Sequence, residues 1–301
     1  MMKTGFPIWR SMLFIPAHIE RFVGKAHERG ADACILDLED SVALSHKAQA
    51  RNATFLAAKS IASHGVDVLV RVNSPWSALE VDLDAVVSPS VRAIVLPKVD
   101  AAGTVQDVAK RLDRLEAERG MRRGHTLLIA QIEDVAALPL LDLIAKSSPR
   151  LMGMSLGSED FSVSAGMEPV QESLLWPNQQ VVFACRRAGI LPFGFPGSIA
   201  DFSDLRRFHQ TIVLARQLGM VGALCIHPDQ VKVLNEVFTP SAAEVESAKG
   251  LLAEYTLAER EGRGAFAYQG KMVDAPVVAR AREVLDRHAA TVQRAIQSDN
   301  Q

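Results

Sequence analysis

The chain has 301 residues, of which 48% are hydrophobic and 23% are charged, and its formal net charge is −2. This balance is typical of a globular protein with a sizeable core, and it lacks the basic excess of a nucleic-acid-binding surface. Three cysteines are too few for a disulfide framework or a zinc site, and no stretch reaches the roughly 20 apolar residues of a membrane span. The first residues, MMKTGFPIWR, lack the apolar segment of a signal peptide. We therefore predict a cytoplasmic protein with no nucleic-acid or membrane partner.

Short apolar runs recur along the chain, and each is rich in Ile, Leu and Val without alternating with polar residues. They cover residues 11–16, 33–38, 67–72, 92–97, 126–132, 151–156, 190–195 and 223–228. Such runs are typical of parallel strands that are covered on both faces. Amphipathic segments lie between them, and one of these, 203–219, has Ser203 or Asp204 as a possible N-cap and Gly219 as a stop. Eight repeats favour an α/β TIM (β/α)₈ barrel over a doubly wound open sheet, with Pro192 weakening the seventh strand.

The last sixty or so residues exceed what a barrel needs to close. Residues 241–261 predict a helix, residues 264–274 predict a small hairpin that turns near Gln269, and a final helix begins near Pro276. We therefore predict a barrel domain over residues 1–240 and a C-terminal helical and hairpin extension over 241–301. The extension would act as a lid or an oligomer contact.

Polar residues follow most of the predicted strands, at the carboxyl end where barrel enzymes carry their chemistry. They are Asp37, Glu39 and Asp40; Arg71 and Asn73; Lys98; Glu133 and Asp134; Glu159 and Asp160; and His227. Carboxylates that crowd one face repel each other unless a cation lies between them. Mg²⁺ suits such a site, because it takes oxygen ligands and keeps several waters around one or two carboxylates.

Several of these residues also have an ordinary structural explanation. Asp40 could equally cap the helix that begins near residue 45, and Lys98 could simply be exposed. His227 fits a hydrogen-bonded structural histidine, and Asp274 lies two residues before a proline, as an N-cap would. Arg71 could pair with a rim acid. Burying the charge of an arginine inside a strand is costly in free energy, however, which favours a functional role.

Several segments in this order resemble the citrate lyase beta-subunit group of the HpcH/HpaI aldolase family. They are RSMLFIPA (10–17), ADACILDLEDSV (31–42), VRVN (70–73), VLPKV (95–99), IEDVAAL (132–138), LGSEDF (156–161), CIHPDQ (225–230) and GAFAYQGKMVDAPVV (264–278). The resemblance runs over nearly the whole chain. It implies a TIM barrel that assembles into a homo-oligomer, a trimer or hexamer.

The resemblance also implies a reaction and the residues that perform it. Family members typically use Mg²⁺ to cleave or form a carbon–carbon bond, joining an acyl thioester to a 2-keto acid, with citryl, malyl and citramalyl thioesters among the substrates. The implied metal ligands are Glu133 and Asp160, with Glu133 also contacting substrate. Arg71 falls on the substrate-binding and catalytic arginine. Asp274 falls on a catalytic acid that relatives supply to a neighbouring subunit.

The chain departs from the family pattern in places that bear on the substrate. The segment IPAHIERF has Ala17 where relatives have glycine, in a region where they admit coenzyme A (CoA). Asp134 follows Glu133 where the family usually has IETA, and residues 193–201 are less acidic than in relatives. Two alternatives therefore stay open beside the thioester lyase. One is a metal-dependent aldolase that acts on a free 2-keto acid without CoA. The other is a ligand-binding homologue without turnover.

Overall fold

The computed structural model describes residues 5–299, with side chains described as far as residue 294. The chain divides into two compact units, and the boundary falls between Val237 and Phe238. We call the first the barrel unit and the second the C-terminal unit.

The barrel unit is built on eight parallel strands that follow one another along the chain. They are β1 (Ser11–Pro16), β2 (Ala33–Asp37), β3 (Asp67–Arg71), β4 (Ala93–Leu96), β5 (Leu127–Ile132), β6 (Leu151–Leu156), β7 (Leu191–Phe193) and β8 (Ala223–Cys225). Their spatial order is β7-β6-β5-β4-β3-β2-β1-β8. Nearly every strand residue is buried, which explains why the sequence shows continuous apolar runs rather than alternation.

The two outer strands of this order, β7 and β8, also meet, so that the sheet closes into a barrel. Phe193 bridges to Gly222 in parallel, and the Val221 amide donates a 3.0 Å hydrogen bond to the Pro192 carbonyl. A Cβ atom at Gly222 would lie 1.9 Å from the Trp9 carbonyl oxygen, so this seam requires glycine. The predicted TIM barrel is confirmed, and Pro192 does coincide with a strand of only three residues.

Helices connect the strands and cover the outside of the barrel. They are α1 (Glu20–Val23), α2 (Lys47–Ala62), α3 (Trp76–Val86), α4 (Ala102–Glu118), α5 (Leu141–Ala145), α6 (Ser158–Ala165), α7 (Gln171–Ala188), α8 (Leu205–Leu218) and α9 (Pro228–Phe238). Helix α8 begins as predicted: the Asp204 side chain accepts hydrogen bonds from the amides of Arg206 and Arg207. It ends at Gly219, whose φ of 105° suits glycine.

The barrel core is an apolar cluster to which most of the strands contribute. Trp9, Met12, Ile129 and Phe193 are among its fully buried members. The three cysteines are buried and unpaired, and a buried free thiol packs as a small apolar residue.

The C-terminal unit contains α10 (Ala242–Arg260), the hairpin strands β9 (Phe266–Tyr268) and β10 (Lys271–Val273), and α11 (Ala275–Asp299). Ser241 and Glu244 form a reciprocal capping box at the start of α10. The hairpin turns at Gln269 and Gly270, as predicted, and both have positive φ. In the part of the chain that the structure describes, no helix is long and apolar enough to span a membrane.

Candidate active site

A cavity of about 260 Å³ opens at the carboxyl ends of the barrel strands. Its wall carries five carboxylates, Asp37, Asp40, Glu133, Glu159 and Asp160, together with the guanidinium of Arg71. The sequence placed all six at this rim. The fold brings them together because parallel strands in a barrel all end at one face.

Arg71 ends β3 and forms a two-pronged ion pair with Asp37, the last residue of β2. Its Nε and Nη2 donate hydrogen bonds of 2.7 and 2.8 Å to the two Asp37 oxygens. Burial alone would raise the pKa of Asp37, but the hydrogen bonds and charge of Arg71 outweigh it and hold that pKa below its usual range. The guanidinium also lies 4.6 Å from the Phe14 ring centre. The structural pairing that the sequence left open for Arg71 therefore exists, and the side chain lines the cavity as well.

Glu39 lies between the two cations of the site. Its Oε2 is 3.2 Å from Arg71 Nη1, and its Oε1 accepts a 2.9 Å hydrogen bond from Lys98 Nζ. Lys98 Nζ is also 3.6 Å from Asp160 Oδ2. The carboxylate of Glu39 thus fixes both Arg71 and Lys98.

Glu133 follows β5 and is only 6% exposed. Burial, reinforced by the negative charges of Glu39 and Asp160, raises the pKa of Glu133 to about 8. Its Oε2 accepts a hydrogen bond from the Lys98 main-chain amide at 3.1 Å. A Cβ atom at Gly157 would lie 2.4 Å from the Glu133 Cγ, so the glycine after β6 provides the space for this side chain. Glu133 is therefore a buried carboxylate beside other acids.

Glu159 and Asp160 belong to the first turn of α6 and have different surroundings. Glu159 accepts a 2.6 Å hydrogen bond from Ser198 and a 3.3 Å bond from Ser158, which joins α6 to the segment after β7. Asp160 is exposed for nearly half of its side chain, and among the described residues its one ion pair is the 3.6 Å contact with Lys98. Of the two, Asp160 keeps its oxygens available for a ligand.

The charges of this site do not balance. Six carboxylates, Asp37, Glu39, Asp40, Glu133, Glu159 and Asp160, share two cations, Arg71 and Lys98, so four carboxylates are in excess. Among residues 5–299, no group of three or more His, Cys, Asp or Glu side chains is arranged to hold a metal ion. Glu133 and Asp160 nevertheless fit Mg²⁺, because this ion needs only one or two carboxylate ligands and usually completes its coordination shell with water or substrate.

Several rim residues named from the sequence do not face the cavity. Asn73 is tied to the buried Asp82, to which both its amide and its side chain donate. Asp134 caps the short 3₁₀ turn that follows β5. His227 stacks on Phe202 with 5.1 Å between ring centres and accepts a hydrogen bond from the Asp229 amide, as a structural histidine would.

Asp274 lies in the C-terminal unit, where it precedes α11. Its side chain accepts a 3.3 Å hydrogen bond from the Val277 amide, and its carbonyl accepts bonds from the next turn. This is the N-cap arrangement anticipated from the nearby proline. A catalytic role for Asp274 stays a prediction.

Two buried polar residues of the cavity escaped the sequence reasoning. Gln131 on β5 and Ser155 on β6 are register partners, and both line the cavity. Within the described chain, Gln131 Oε1 and Ser155 Oγ have no hydrogen-bond partner. The sequence feature that could have revealed them is a polar residue inside an otherwise apolar strand. Such a residue is costly to bury without a hydrogen-bond partner.

Lys98 has an unusual backbone conformation, with a φ of 52°. This conformation aims its amide at Glu133 while its ammonium reaches Glu39, so a single residue contacts both sides of the acid cluster. A left-handed conformation costs a residue with a side chain about 1 kcal/mol or more. Lys98 therefore fits a positioning residue for the carboxylates.

We expect Lys98→Gly and Lys98→Ala to lower turnover by a similar factor, on the order of 10 to 100, because both remove the ammonium. Their stabilities should differ. Glycine relieves the backbone strain, so Lys98→Gly should be about 1 kcal/mol more stable than Lys98→Ala in urea unfolding. Gln269, which also has positive φ, provides the matched control: glycine and alanine there should show the same stability gap with unchanged turnover. Equal stability of the two Lys98 variants would contradict the strain argument.

A barrel with an acidic, cation-deficient cavity at the carboxyl ends of its strands is the architecture of a metal-assisted TIM-barrel site. The HpcH/HpaI aldolase/citrate lyase family model matches residues 10–228. The chain is 37% identical over 283 residues to citrate lyase subunit beta of Escherichia coli (strain K12), covering 92% of both chains. It is also 37% identical over 303 residues to the L-malyl-CoA/beta-methylmalyl-CoA lyase of Rhodobacter capsulatus, covering 93% of this chain and 94% of that one.

A solved structure shows the same likeness in three dimensions. It is the Mycobacterium tuberculosis protein CitE in complex with magnesium, acetoacetate and coenzyme A, with a TM-score of 0.72 and 26% identity. The match covers 93% of this chain and 97% of that chain. The chain belongs to the HpcH/HpaI aldolase/citrate lyase family. The family resemblance read from the motifs is confirmed, and the relatives carry the names of lyases, as predicted.

Proposed function

We propose that the protein is a Mg²⁺-dependent carbon–carbon lyase that cleaves or forms a 3-hydroxyacyl thioester, with an acyl thioester and a 2-keto acid as the other partners. The observation that carries this proposal is the excess of carboxylates over cations, with Glu133 and Asp160 beside an arginine in a cavity at the carboxyl end of the barrel. The full-length likeness to a citrate lyase beta subunit and a malyl-CoA lyase supports the same chemistry.

Glu133 and Asp160 are the residues that would hold the metal. A bound Mg²⁺ would supply a Lewis acid that orients the oxygens of the 2-keto acid part and polarises its carbonyl. The Lys98 amide, which donates to Glu133, and the absence of a side chain at Gly157 position the Glu133 carboxylate to bind the metal. It would also come into contact with the bound substrate.

Arg71 would stabilise the negative charge that develops on the thioester oxygen as the carbon–carbon bond breaks. Its orientation is fixed by Asp37, so the guanidinium needs no rearrangement during the reaction. The Phe14 ring against its face limits water, which strengthens the electrostatic effect.

The cleavage needs a base for the substrate hydroxyl and an acid for the new carbanion. The hydroxyl proton leaves, the bond between the hydroxyl-bearing carbon and the α-carbon of the thioester breaks, and the α-carbon gains a proton. We propose that Asp274 of a neighbouring copy in a homo-oligomer, a trimer or hexamer, performs both transfers. The family resemblance and the position of Asp274 on an otherwise unexplained C-terminal unit support this proposal.

Asp274→Asn is expected to lower kcat by on the order of 10²-fold or more while substrate binding changes little. Asparagine caps a helix as well as aspartate does, so this change should preserve α11, whereas Asp274→Ala should also lower its stability. Mixing inactive Asp274→Asn and Glu133→Gln proteins should restore part of the activity, because mixed oligomers contain intact sites. Absence of recovery in verified mixed oligomers would show that Asp274 does not act across subunits.

One titration experiment separates the proposal from its two alternatives. Calorimetry with a CoA thioester and with pyruvate, each with and without Mg²⁺, is followed by a turnover assay on the thioester. The lyase binds both ligands with Mg²⁺ and cleaves the thioester. Binding of pyruvate alone would favour the aldolase that needs no CoA, and tight binding without any cleavage would favour the ligand-binding homologue.

A further inference from the structure

The segment that joins β7 to α8 separates two cavities. We call residues 195–203 the strap. Ile199 lines the catalytic cavity, Ser198 lines a second cavity of about 200 Å³, and Phe195 lines both. Protein interiors are normally close-packed, so a segment with open space on both sides has unusual freedom to move. The strap is such a segment.

The two ends of the strap are fixed to the barrel unit. Before the strap, the Gly194 amide donates a 2.9 Å hydrogen bond to the Gly222 carbonyl at the seam of the barrel. After the strap, the Asp204 side chain caps α8. Gly194 has a φ of 122°, in a region that glycine enters without strain, so the chain can turn sharply where the strap begins. Gly194 is therefore the natural pivot of the strap.

Between its ends the strap is held by the first turn of α6. Among the described residues, the hydrogen bonds that join the strap to another element go to Ser158 and Glu159. Ser198 Oγ donates a 2.6 Å bond to Glu159 Oε1, and the Ile199 amide donates a longer bond of 3.4 Å to Ser158 Oγ. A short hydrogen bond to a carboxylate is roughly twice as strong as one between neutral groups. The bond between Ser198 and Glu159 is therefore the main latch of the strap.

A ring contact holds the strap on the other side of the cavity mouth. Phe202 stacks on His227 with 5.1 Å between ring centres and 10° between ring planes. Phe202 is 46% exposed, so little apolar area is lost to water when the two rings separate. Glu159 follows β6 and His227 follows β8, so the strap crosses the rim of the catalytic cavity from one side to the other.

We propose that the strap is a movable wall of the catalytic cavity, and that Ser198 and Glu159 are positioning residues that hold it closed. Opening breaks the bond between these two side chains and moves the strap toward the second cavity, which widens the mouth for an entering ligand. Closing returns Ile199 to the cavity wall, against the bound ligand. The movement goes beyond the proposed function, because it is the same whichever reaction the cavity performs.

Hydrogen exchange over the strap, followed by mass spectrometry of the full-length protein, tests the latch without any substrate. Ser198→Ala removes the bond to Glu159 and should speed exchange of the strap amides by about tenfold or more. Ser198→Thr keeps the hydroxyl and should exchange at the wild-type rate. Ser164→Ala is the matched control and should leave the strap unchanged, because Ser164 donates a 3.1 Å bond from α6 to Asp134, outside the catalytic cavity. Equal exchange of the strap in Ser198→Ala and in the wild type would overturn the inference.

Steady-state kinetics with Mg²⁺ and a CoA thioester separates a movable wall from a merely structural tie. Ser198 does not line the catalytic cavity, yet Ser198→Ala should raise KM by about threefold or more without lowering kcat, because the strap no longer stays closed over the bound ligand. Ser198→Thr should restore the wild-type KM. Faster exchange with an unchanged KM would reduce the latch to a structural tie and refute the inference. Absence of turnover in the wild type would count against the proposed function alone, and the exchange experiment would then decide the inference.

Discussion

Glu133→Gln is expected to reduce Mg²⁺-dependent turnover by more than about 100-fold, since even residues that only support a metal ligand cost 10 to 100-fold when replaced. The fold should survive. Burial and neighbouring acids raise the pKa of Glu133 to about 8, so a neutral amide of the same shape is tolerated in the metal-free protein. Thermal unfolding with and without Mg²⁺ gives a readout apart from activity: the stabilisation of the wild type by Mg²⁺ should disappear in the variant.

Asp134→Asn is the matched control for this substitution. Asp134 is the neighbouring acid in the chain, yet it caps a 3₁₀ turn and does not line the cavity. Asparagine is an equally good cap, so we expect unchanged turnover and unchanged stabilisation by Mg²⁺. If Glu133→Gln behaves like this control, Glu133 is not a metal ligand.

Arg71→Met should have the largest combined effect on stability and activity. It leaves Asp37, which is 1% exposed, without its partner, and breaking a buried ion pair typically costs about 3–5 kcal/mol. It also removes the cation that would stabilise the developing oxyanion, which should lower kcat by on the order of 10² to 10³-fold. Urea unfolding measures the first effect, and turnover at a temperature where the variant is folded measures the second.

A second substitution separates the two effects. The double variant Arg71→Met with Asp37→Leu removes both buried charges, so it should regain much of the lost stability while turnover stays low. Recovery of turnover along with stability would show that Arg71 is only a structural partner of Asp37. Arg51→Met offers a matched control, because Arg51 pairs with the fully buried Asp82 outside the cavity. It should lose stability without losing turnover in the folded protein.

Much of the barrel could be predicted because its signal is repetitive. Eight continuous apolar runs with amphipathic segments between them leave few ways to bury both faces of the strands. The residues at which helices and strands begin and end were harder to predict. Helix α2 begins at Lys47 after a short 3₁₀ turn, and β8 ends at Cys225, two residues before the histidine assigned to its end. These boundaries depend on tertiary hydrogen bonds that a single sequence does not show.

The membership of the cavity could be predicted from the position of acids after strands, but the pairing within it could not. The sequence placed Arg71 and Asp37 at the same rim, yet their two-pronged contact depends on the register of β2 against β3. The role of Lys98 was also hidden, because nothing in VLPKV reveals a left-handed backbone. Gln131 and Ser155 looked like strand interior until the register showed them side by side in the cavity.

The measurement that tests the central claim most directly is release of a 2-keto acid from a 3-hydroxyacyl-CoA thioester by the wild-type protein, with Mg²⁺ and with excess chelator. The proposed lyase releases the keto acid and an acyl-CoA in equal amounts with Mg²⁺, and the reaction stops in the chelator. Equal rates in both conditions, or no release from malyl-, citramalyl- or citryl-CoA, would contradict it.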